Sequence, residues 1–189
     1  MPREIRTSGH YPKIDGFKTY LSLNRALREK GQGLKIHVSS WSSWAQIIAD
    51  TILPILRRRH IPHKIVPTME ELDSLNEDRT QAGKFITIYP RSPSEWIMLL
   101  RELEGALIDI GATKYCGPPV PTDQHITNVL YSRFGGFTGD WIKVGKDWLR
   151  DDRDTSNSSL GLFSSQRDAV NFGSLWRRHQ GEHKSGPKK

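Results

Sequence analysis

The sequence predicts a single compact α+β domain in which helices flank a small mixed or antiparallel sheet. Short segments that alternate in hydrophobicity or are rich in β-branched residues recur along the chain, and segments with helical apolar spacing separate them. The chain has 189 residues, which is enough for one domain with its own core. This order of elements is typical of a compact α+β or α/β fold, and of these two we take α+β.

The elements predicted for the first third of the chain alternate between helix and strand. Apolar spacing that ends at Gly31 predicts a helix over residues 14–30. Residues 34–39 alternate strictly between apolar and polar, which predicts a strand. Residues 44–58 follow an amphipathic pattern, so we expect a helix there that Pro54 kinks or shortens.

Two capping patterns mark the beginning of further helices. The pattern Thr-x-x-Glu at 68–71 predicts a short helix that ends at Asn76. The pattern Ser-Pro-Ser-Glu at 92–95 has the same spacing, with proline at the first helical position. Apolar residues at helical spacing from Trp96 to Leu107 extend this second helix.

The rest of the chain reads as strands, loops and a tail. We expect strands over residues 63–66, 84–89 and 128–134, the last of them ended by Gly135 and Gly136. We expect loops over residues 116–122, which hold three prolines, and over residues 151–161, which are polar. Residues 177–189 are polar and basic and are predicted to be a disordered tail, which leaves residues 1–176 as the domain.

Composition narrows the possible functions. The net charge is +7 and the sequence pI is near 9.6, which favours anionic partners such as nucleic acid, a phosphorylated peptide or an acidic leader peptide. There is one cysteine, Cys116, so no disulfide can form within the chain and a thiolate metal cluster is disfavoured. No apolar run reaches membrane length and the N-terminus has no apolar signal region, so we expect a cytoplasmic protein that does not associate with membranes.

A group of cationic side chains on the predicted strands is the main indication of chemistry. Lys35 and His37 lie on the same side of one strand, since alternate residues share a face. This pair alone is compatible with a solvated strand face or with a general base beside a general acid. Arginine and lysine on the other strands favour a phosphate ligand; these residues are Lys64, Lys84, Arg91 and Arg133, with Tyr131 on the same side as Arg133.

Three other histidines carry less weight. We interpret His10, His60 and His63 as surface or capping residues.

Four segments in this order carry a resemblance to a known family: GLKIHVSS, HKIVPTMEELDSLN, GKFITIYP and VLYSRFGGF. Together they resemble the N-terminal lyase domain of class III lanthipeptide synthetases. That domain is in turn similar to the phosphothreonine lyases that some pathogens inject into their hosts. The resemblance covers residues 30–137, and it depends on the four segments together because each alone is not specific.

The resemblance implies a role for each site residue. It implies that Lys35 is the base and His37 the acid of a β-elimination. Asp123 would orient the substrate, and Tyr131 would orient the substrate or the lysine. The predicted phosphate ligands are Lys64, Lys84, Arg91 and Arg133. One segment departs from the family pattern, because Gln124 and His125 follow Asp123 where the family has two arginines.

The implied reaction removes the Cα proton of phosphoserine or phosphothreonine and expels phosphate, which leaves dehydroalanine or dehydrobutyrine. The resemblance implies no metal and no cofactor. Lys35 must be neutral to act as a base, and we expect neighbouring cations and partial burial to favour that form. Since 189 residues leave no room for the other synthetase activities, we expect either a free-standing lyase or an excised domain. The expected partners are a phosphorylated peptide and a separate kinase and cyclase.

Two other functions remain open from the sequence. The first is a catalytically inactive relic that still binds phosphopeptides, for which the departure at Gln124 is the main argument. The second is a basic nucleic-acid-binding domain, although the chain has no RNA-recognition, helix-turn-helix or zinc-finger spacing.

Overall fold

The structure is a computed structural model that describes residues 1–21, 31–137, 141–144 and 146–150. Within these residues there are three helices and nine strands. The helices are α1 (Ser42–Arg58), α2 (Met69–Glu77) and α3 (Pro93–Asp109). The strands are β1 (Lys13–Ile14), β2 (Phe17–Tyr20), β3 (Gln32–Val38), β4 (His63–Ile65), β5 (Ile86–Ile88), β6 (Gln124–Thr127), β7 (Leu130–Gly136), β8 (Trp141–Val144) and β9 (Asp147–Arg150).

Seven of these strands form one sheet in the order β1-β2-β4-β5-β3-β7-β6. Every neighbouring pair in this sheet is antiparallel. Strands β8 and β9 form a separate antiparallel hairpin. The predicted α+β class is therefore confirmed, with an antiparallel sheet.

The two faces of the sheet have different environments, and strand β3 illustrates both. Ile36 and Val38 are fully buried in the core, together with Ile52 of α1 and Trp96 of α3. The side chains between them point to the other face because the strand period is two. Strand β3 thus joins the hydrophobic core to the face that carries the predicted site.

The helices begin where their capping residues predict. Thr68 Oγ1 accepts a hydrogen bond from the backbone N–H of Glu71 at 3.1 Å, and Ser92 Oγ accepts one from Glu95 at 3.1 Å. Such caps satisfy backbone donors that have no partner within the helix. Helix α1 continues past Pro54 to Arg58, so the proline does not shorten it.

The helix predicted over residues 14–30 is wrong for residues 14–21, the part of this segment that the structure describes. Residues 13–14 and 17–20 are strands β1 and β2, which pair as a hairpin. Asp15 and Gly16 connect them with φ angles of 50° and 79°. Asp-Gly is a strong signal for a two-residue hairpin turn, because both central residues of that turn need positive φ. Residues 22–30 lie outside the described part of the chain.

Strands β6, β8 and β9 were not predicted, and the remaining differences concern element ends. Strand β5 is shorter than the predicted 84–89. Strand β7 continues through Gly135 and Gly136, which were predicted to end it, because both glycines pair with strand β3. The predicted loop at 151–161 and the predicted tail at 177–189 lie outside the described residues. None of the helices in the described ranges combines the length and apolar character that a membrane crossing requires.

Candidate active site

A cavity lies on the face of the sheet that carries Lys35 and His37. Five of the residues predicted for the site line it: Lys35, His37, Lys64, Lys84 and Arg133. The sheet register explains why they meet. Lys35 is the direct cross-strand partner of Arg133, and residues in that relation have Cβ atoms about 5 Å apart.

A second row of side chains crosses the same face. Lys64 on β4 lies opposite Thr87 on β5, and Thr87 lies opposite His37 on β3. His37 in turn lies opposite Tyr131 on β7. The antiparallel register therefore aligns side chains from four strands, although the corresponding residues are far apart in sequence.

His37 is bound to Asp123 behind the cavity. The imidazole Nδ1 lies 2.6 Å from Asp123 Oδ2, and the exposed fractions of the two side chains are 4% and 0%. Burial raises the pKa of Asp123, but His37, Lys84 and Arg133 outweigh it, so the carboxylate stays ionised. An ionised carboxylate only accepts hydrogen bonds, so Nδ1 is the donor and Nε2 is left for a ligand.

The charge of His37 depends on what occupies the cavity. Burial lowers its pKa to about 4, although Asp123 acts in the opposite direction. Lys84 and Lys35 contribute to this lowering of the pKa. The imidazole is therefore neutral at pH 7, and an anionic ligand would favour the protonated form.

The cations are held by neighbouring backbone and aromatic groups. Lys35 is 7% exposed, and its Nζ donates a hydrogen bond to the carbonyl of Gly136 at 2.9 Å. Lys84 Nζ donates to the carbonyl of Thr80. Arg133 is 1% exposed. Lysine and arginine side chains that converge on one cavity match the oxygens of an anion such as phosphate.

Aromatic side chains form part of the cavity wall, and sequence reasoning did not assign them to the site. Tyr89 and Phe137 pack edge to face with ring centroids 5.4 Å apart, and both line the cavity. The Phe17 ring lies 4.1 Å from Lys64 Nζ, as in a cation–π contact. Tyr89 shares a strand face with Thr87, which was a usable signal, whereas Phe17 was hidden by the erroneous helix prediction.

Three predicted residues do not line the cavity: Asp123, which lies behind it, and Arg91 and Tyr131. Arg91 follows Pro90 and lies at the surface, where its Nη2 is 2.6 Å from Glu95 Oε1 in the first turn of α3. Tyr131 is buried and packs against His125, with ring centroids 4.9 Å apart. Burial raises the pKa of Tyr131, and so does Asp123.

Other residues singled out from the sequence have structural surroundings. His63 was predicted to be a surface or capping residue, but it is fully buried in strand β4. Its Nε2 lies 2.8 Å from the Tyr11 hydroxyl and its Nδ1 lies 2.7 Å from the carbonyl of Ile61. Within the described residues, no cluster of three or more His, Cys, Asp and Glu side chains could hold a metal ion.

The fold and the cavity define a small antiparallel α+β domain with a buried, cation-rich site and a His–Asp pair. Residues 13–157 match the family described as the RamC N-terminal domain. Because this match covers more than half of the chain, the protein belongs to that family. The resemblance to the N-terminal domain of lanthipeptide synthetases is thereby confirmed.

Two individual proteins illustrate the similarity. A probable SapB synthase of Streptomyces coelicolor is 32% identical over 111 residues, which cover 57% of this chain and 11% of that protein. The chain thus spans about a tenth of that relative's length. A solved structure of a phosphothreonine lyase is similar with a TM-score of 0.43 and 15% identity, covering 68% of each chain.

Proposed function

We propose that this domain is a phosphoserine or phosphothreonine lyase that acts on a phosphorylated peptide in lanthipeptide maturation. The observation that carries the proposal is the placement of Lys35 and His37 on one strand face, beside Lys84 and Arg133 in one cavity. A base, an acid with a carboxylate partner, and fixed cations are the groups that phosphate elimination requires. Family membership supports the same reading.

In the proposed reaction, Lys35 acts as a neutral amine and removes the Cα proton of the phosphorylated residue. The electron pair of that C–H bond forms the Cα–Cβ double bond while the Cβ–O bond breaks. His37 donates its Nε2 proton to the leaving phosphate oxygen, so the products are the dehydrated residue and hydrogen phosphate. Proton transfer from the lysine to solvent and from solvent to the histidine restores the site.

The phosphate itself prepares His37 for this role. A dianion beside the imidazole raises the pKa of His37 from its value of about 4. The Asp123 carboxylate, 2.6 Å from Nδ1, stabilises the resulting imidazolium. Arg133 and Lys84 supply positive charge where the phosphate charge develops.

The proposal is tested by incubating the protein with phosphoserine and phosphothreonine peptides in EDTA and recording peptide masses. Elimination lowers the mass by about 98 Da, whereas hydrolysis by a phosphatase lowers it by about 80 Da. We expect elimination in the wild type and its loss in Lys35→Met and His37→Asn. Arg91→Met is the matched control, because it removes a cation that lies outside the cavity.

Assignment of the base requires a separate experiment, because Lys64 and Lys84 also line the cavity. We expect added small amines to restore elimination in Lys35→Ala and not in Lys64→Ala or Lys84→Ala. Rescue in one of the other two variants instead would move the base to that lysine. Binding of phosphopeptide without any elimination, with or without a leader segment, would indicate the inactive relic.

The partners follow from the chemistry of the substrate. A phosphorylated serine or threonine must come from a kinase, and a dehydrated residue is an electrophile that a cyclase can consume. We propose that both activities reside outside residues 1–189. Incubating the unphosphorylated peptide with this protein and a kinase, each alone and together, tests this order: only the mixture should give dehydrated product.

A further inference from the structure

The Asp123 carboxylate has two different side-chain donors. His37 Nδ1 donates to Oδ2 at 2.6 Å, and the Thr122 hydroxyl donates to Oδ1 at 2.9 Å. Thr122 is 2% exposed and the Asp123 side chain is fully buried. Each carboxylate oxygen of Asp123 therefore accepts a hydrogen bond from a different side chain.

Thr122 and Asp123 are held by a tight turn. The backbone N–H of Asp123 donates to the carbonyl of Val120 at 3.1 Å. Pro121 occupies the second position of this turn, where its restricted φ is favourable. The turn therefore fixes the backbone from which the Thr122 hydroxyl reaches the carboxylate.

The segment directly after strand β3 anchors the loop that leads into this turn. Ser39 follows the last residue of β3, and its hydroxyl donates to the carbonyl of Pro118 at 2.5 Å. The backbone N–H of Trp41 donates to the carbonyl of Cys116 at 2.9 Å. Gly117 permits this close approach, because a Cβ there would lie 2.4 Å from Ser39 Oγ. The segment that follows the imidazole-bearing strand thus fixes the loop that carries its carboxylate partner.

We infer that Thr122 is a positioning residue: its hydroxyl fixes the carboxylate plane of Asp123, and thereby decides which nitrogen of His37 carries the proton. The terminal torsion of an aspartate is broad, so a carboxylate with one donor can rotate. With Oδ1 held by Thr122, Oδ2 remains on Nδ1, and Nε2 is the nitrogen presented to a ligand. The catalytic consequence of this arrangement depends on the proposed lyase function, whereas the tautomer does not.

The test compares Thr122→Val, which keeps the shape and removes the hydroxyl, with Thr122→Ser, which keeps the hydroxyl. Ring ¹⁵N resonances of His37 in the ligand-free protein, assigned by their loss in His37→Asn, report the tautomer. We expect one Nδ1–H tautomer in the wild type and in Thr122→Ser, and a mixture of tautomers in Thr122→Val. A tautomer unchanged in Thr122→Val, or equally disturbed in both variants, would overturn the inference.

Elimination kinetics provide the second measurement. We expect the rate in Thr122→Val to fall on the order of tenfold, as part of the about 10²–10⁴-fold that a general acid contributes. The limb of the pH–rate profile that reports the ionisation of His37 should shift as well. Thr122→Ser should restore both the rate and the position of that limb. A slower Thr122→Val with an unchanged pH limb would contradict positioning and indicate a packing effect.

The tautomer measurement separates this inference from the proposed function. If the wild type eliminates nothing, the ligand-free spectra still decide whether Thr122 controls His37. If Thr122→Val does not fold, the wild type itself provides the test. A buried hydroxyl that donates to Asp123 predicts a slowly exchanging Thr122 hydroxyl proton, and a rapidly exchanging one would exclude the role.

Discussion

Three basic side chains on one face are almost fully removed from solvent: Lys35, His37 and Arg133. Asp123 is the buried carboxylate bound to this group. Cations placed this close together repel one another, and burial increases the cost. The charge of each group is therefore sensitive to the loss of Asp123 and to the arrival of an anion.

Asp123→Asn should reduce elimination by about 100-fold or more, because the imidazolium would lose its counter-charge. Removing the carboxylate also removes the influence that raises the pKa of His37, so that pKa should fall below its value of about 4. Steady-state kinetics and the ¹⁵N titration of His37 measure the two effects. Asp109→Asn, an exposed change at the end of α3, is the control. If it reduced elimination as much as Asp123→Asn, the effect could not be assigned to the contact between Asp123 and His37.

Acid should weaken the fold through its buried histidines. Burial lowers the pKa of His63 to about 4, against 6.5 for an ordinary histidine. Between these values the unfolded chain binds a proton that the folded protein does not, so the free energy of unfolding decreases as the pH falls from about 6.5 to about 4. Each such histidine contributes a slope of at most about 1.4 kcal/mol per pH unit.

Urea unfolding of His63→Gln at several pH values tests this assignment. The variant should show a smaller slope in this window, because it has no imidazole to titrate. Tyr11→Phe is the control, because it removes the hydroxyl 2.8 Å from His63 but keeps the buried imidazole of His63. An undiminished slope in His63→Gln would assign the acid sensitivity to other groups.

At the scale of elements, the sequence predicted what local patterns encode. Strict alternation located β3, amphipathic spacing located α1, and capping residues located the start of α2 and α3. The hairpin at 13–20 was missed because the apolar spacing of this segment also fits a helix. The turn residues Asp15 and Gly16 carried the decisive information, since their positive φ is a local property of the backbone.

The candidate site was predictable only in part, because its geometry depends on pairing between distant segments. Alternation alone placed Lys35 and His37 together, but a register is needed to place Arg133 opposite Lys35. The exclusion of Arg91 from the cavity was not predictable, because it depends on a contact with Glu95. The role of Thr122 depends on a tight turn whose hydrogen bonds no sequence pattern specified.

The loop behind the site should respond to a change at Gly83. This residue has a φ of +76°, and a Cβ there would lie 2.5 Å from Val120 Cγ2 and 3.0 Å from Ser39 Oγ. Gly83→Ala should therefore destabilise the protein by about 1–3 kcal/mol and slow elimination, since Val120 begins the turn that ends at Asp123.

Gly111→Ala is the matched control for this prediction. Gly111 has a similar φ of +73°, but its Cβ would meet nothing within 4 Å. Gly111→Ala should lose only the stability that a positive φ costs an alanine, and it should keep the wild-type elimination rate. Equal loss of stability and of rate in the two variants would mean that the contact with Val120 has no effect. Denaturant unfolding and kinetics under identical conditions provide the comparison.

At the scale of the whole molecule, one face of the sheet forms the hydrophobic core and the other carries the candidate site. Its core face packs against α1 and α3 through apolar side chains such as Ile52 and Trp96, whereas its other face carries the cations. Hydrophobic burial stabilises the fold and repulsion within the site opposes it. An anion that enters the cavity should therefore stabilise the entire domain.

Inorganic phosphate should raise the melting temperature. A ligand at 100 times its Kd adds about 2.7 kcal/mol, and in a protein of this size each kcal/mol corresponds to about 2–4 °C. The shift should disappear in Arg133→Gln and persist in Arg91→Gln. Chloride at the same ionic strength controls for screening. Equal shifts in chloride and phosphate, or a persistent shift in Arg133→Gln, would contradict a phosphate site in this cavity.

The position of β3 between β5 and β7 affects how the protein folds. Strand β7, its partner on one side, begins at Leu130. That is 92 residues after Val38, the last residue of β3, with which Leu130 pairs. Loops of this length close slowly, so a growing chain presents the edge of β3 before its second partner has been synthesised. Exposed strand edges favour intermolecular pairing. We therefore expect Lys35 and Arg133, which face each other across β3 and β7, to come together late in folding, and the preceding intermediate to be the species most prone to aggregation.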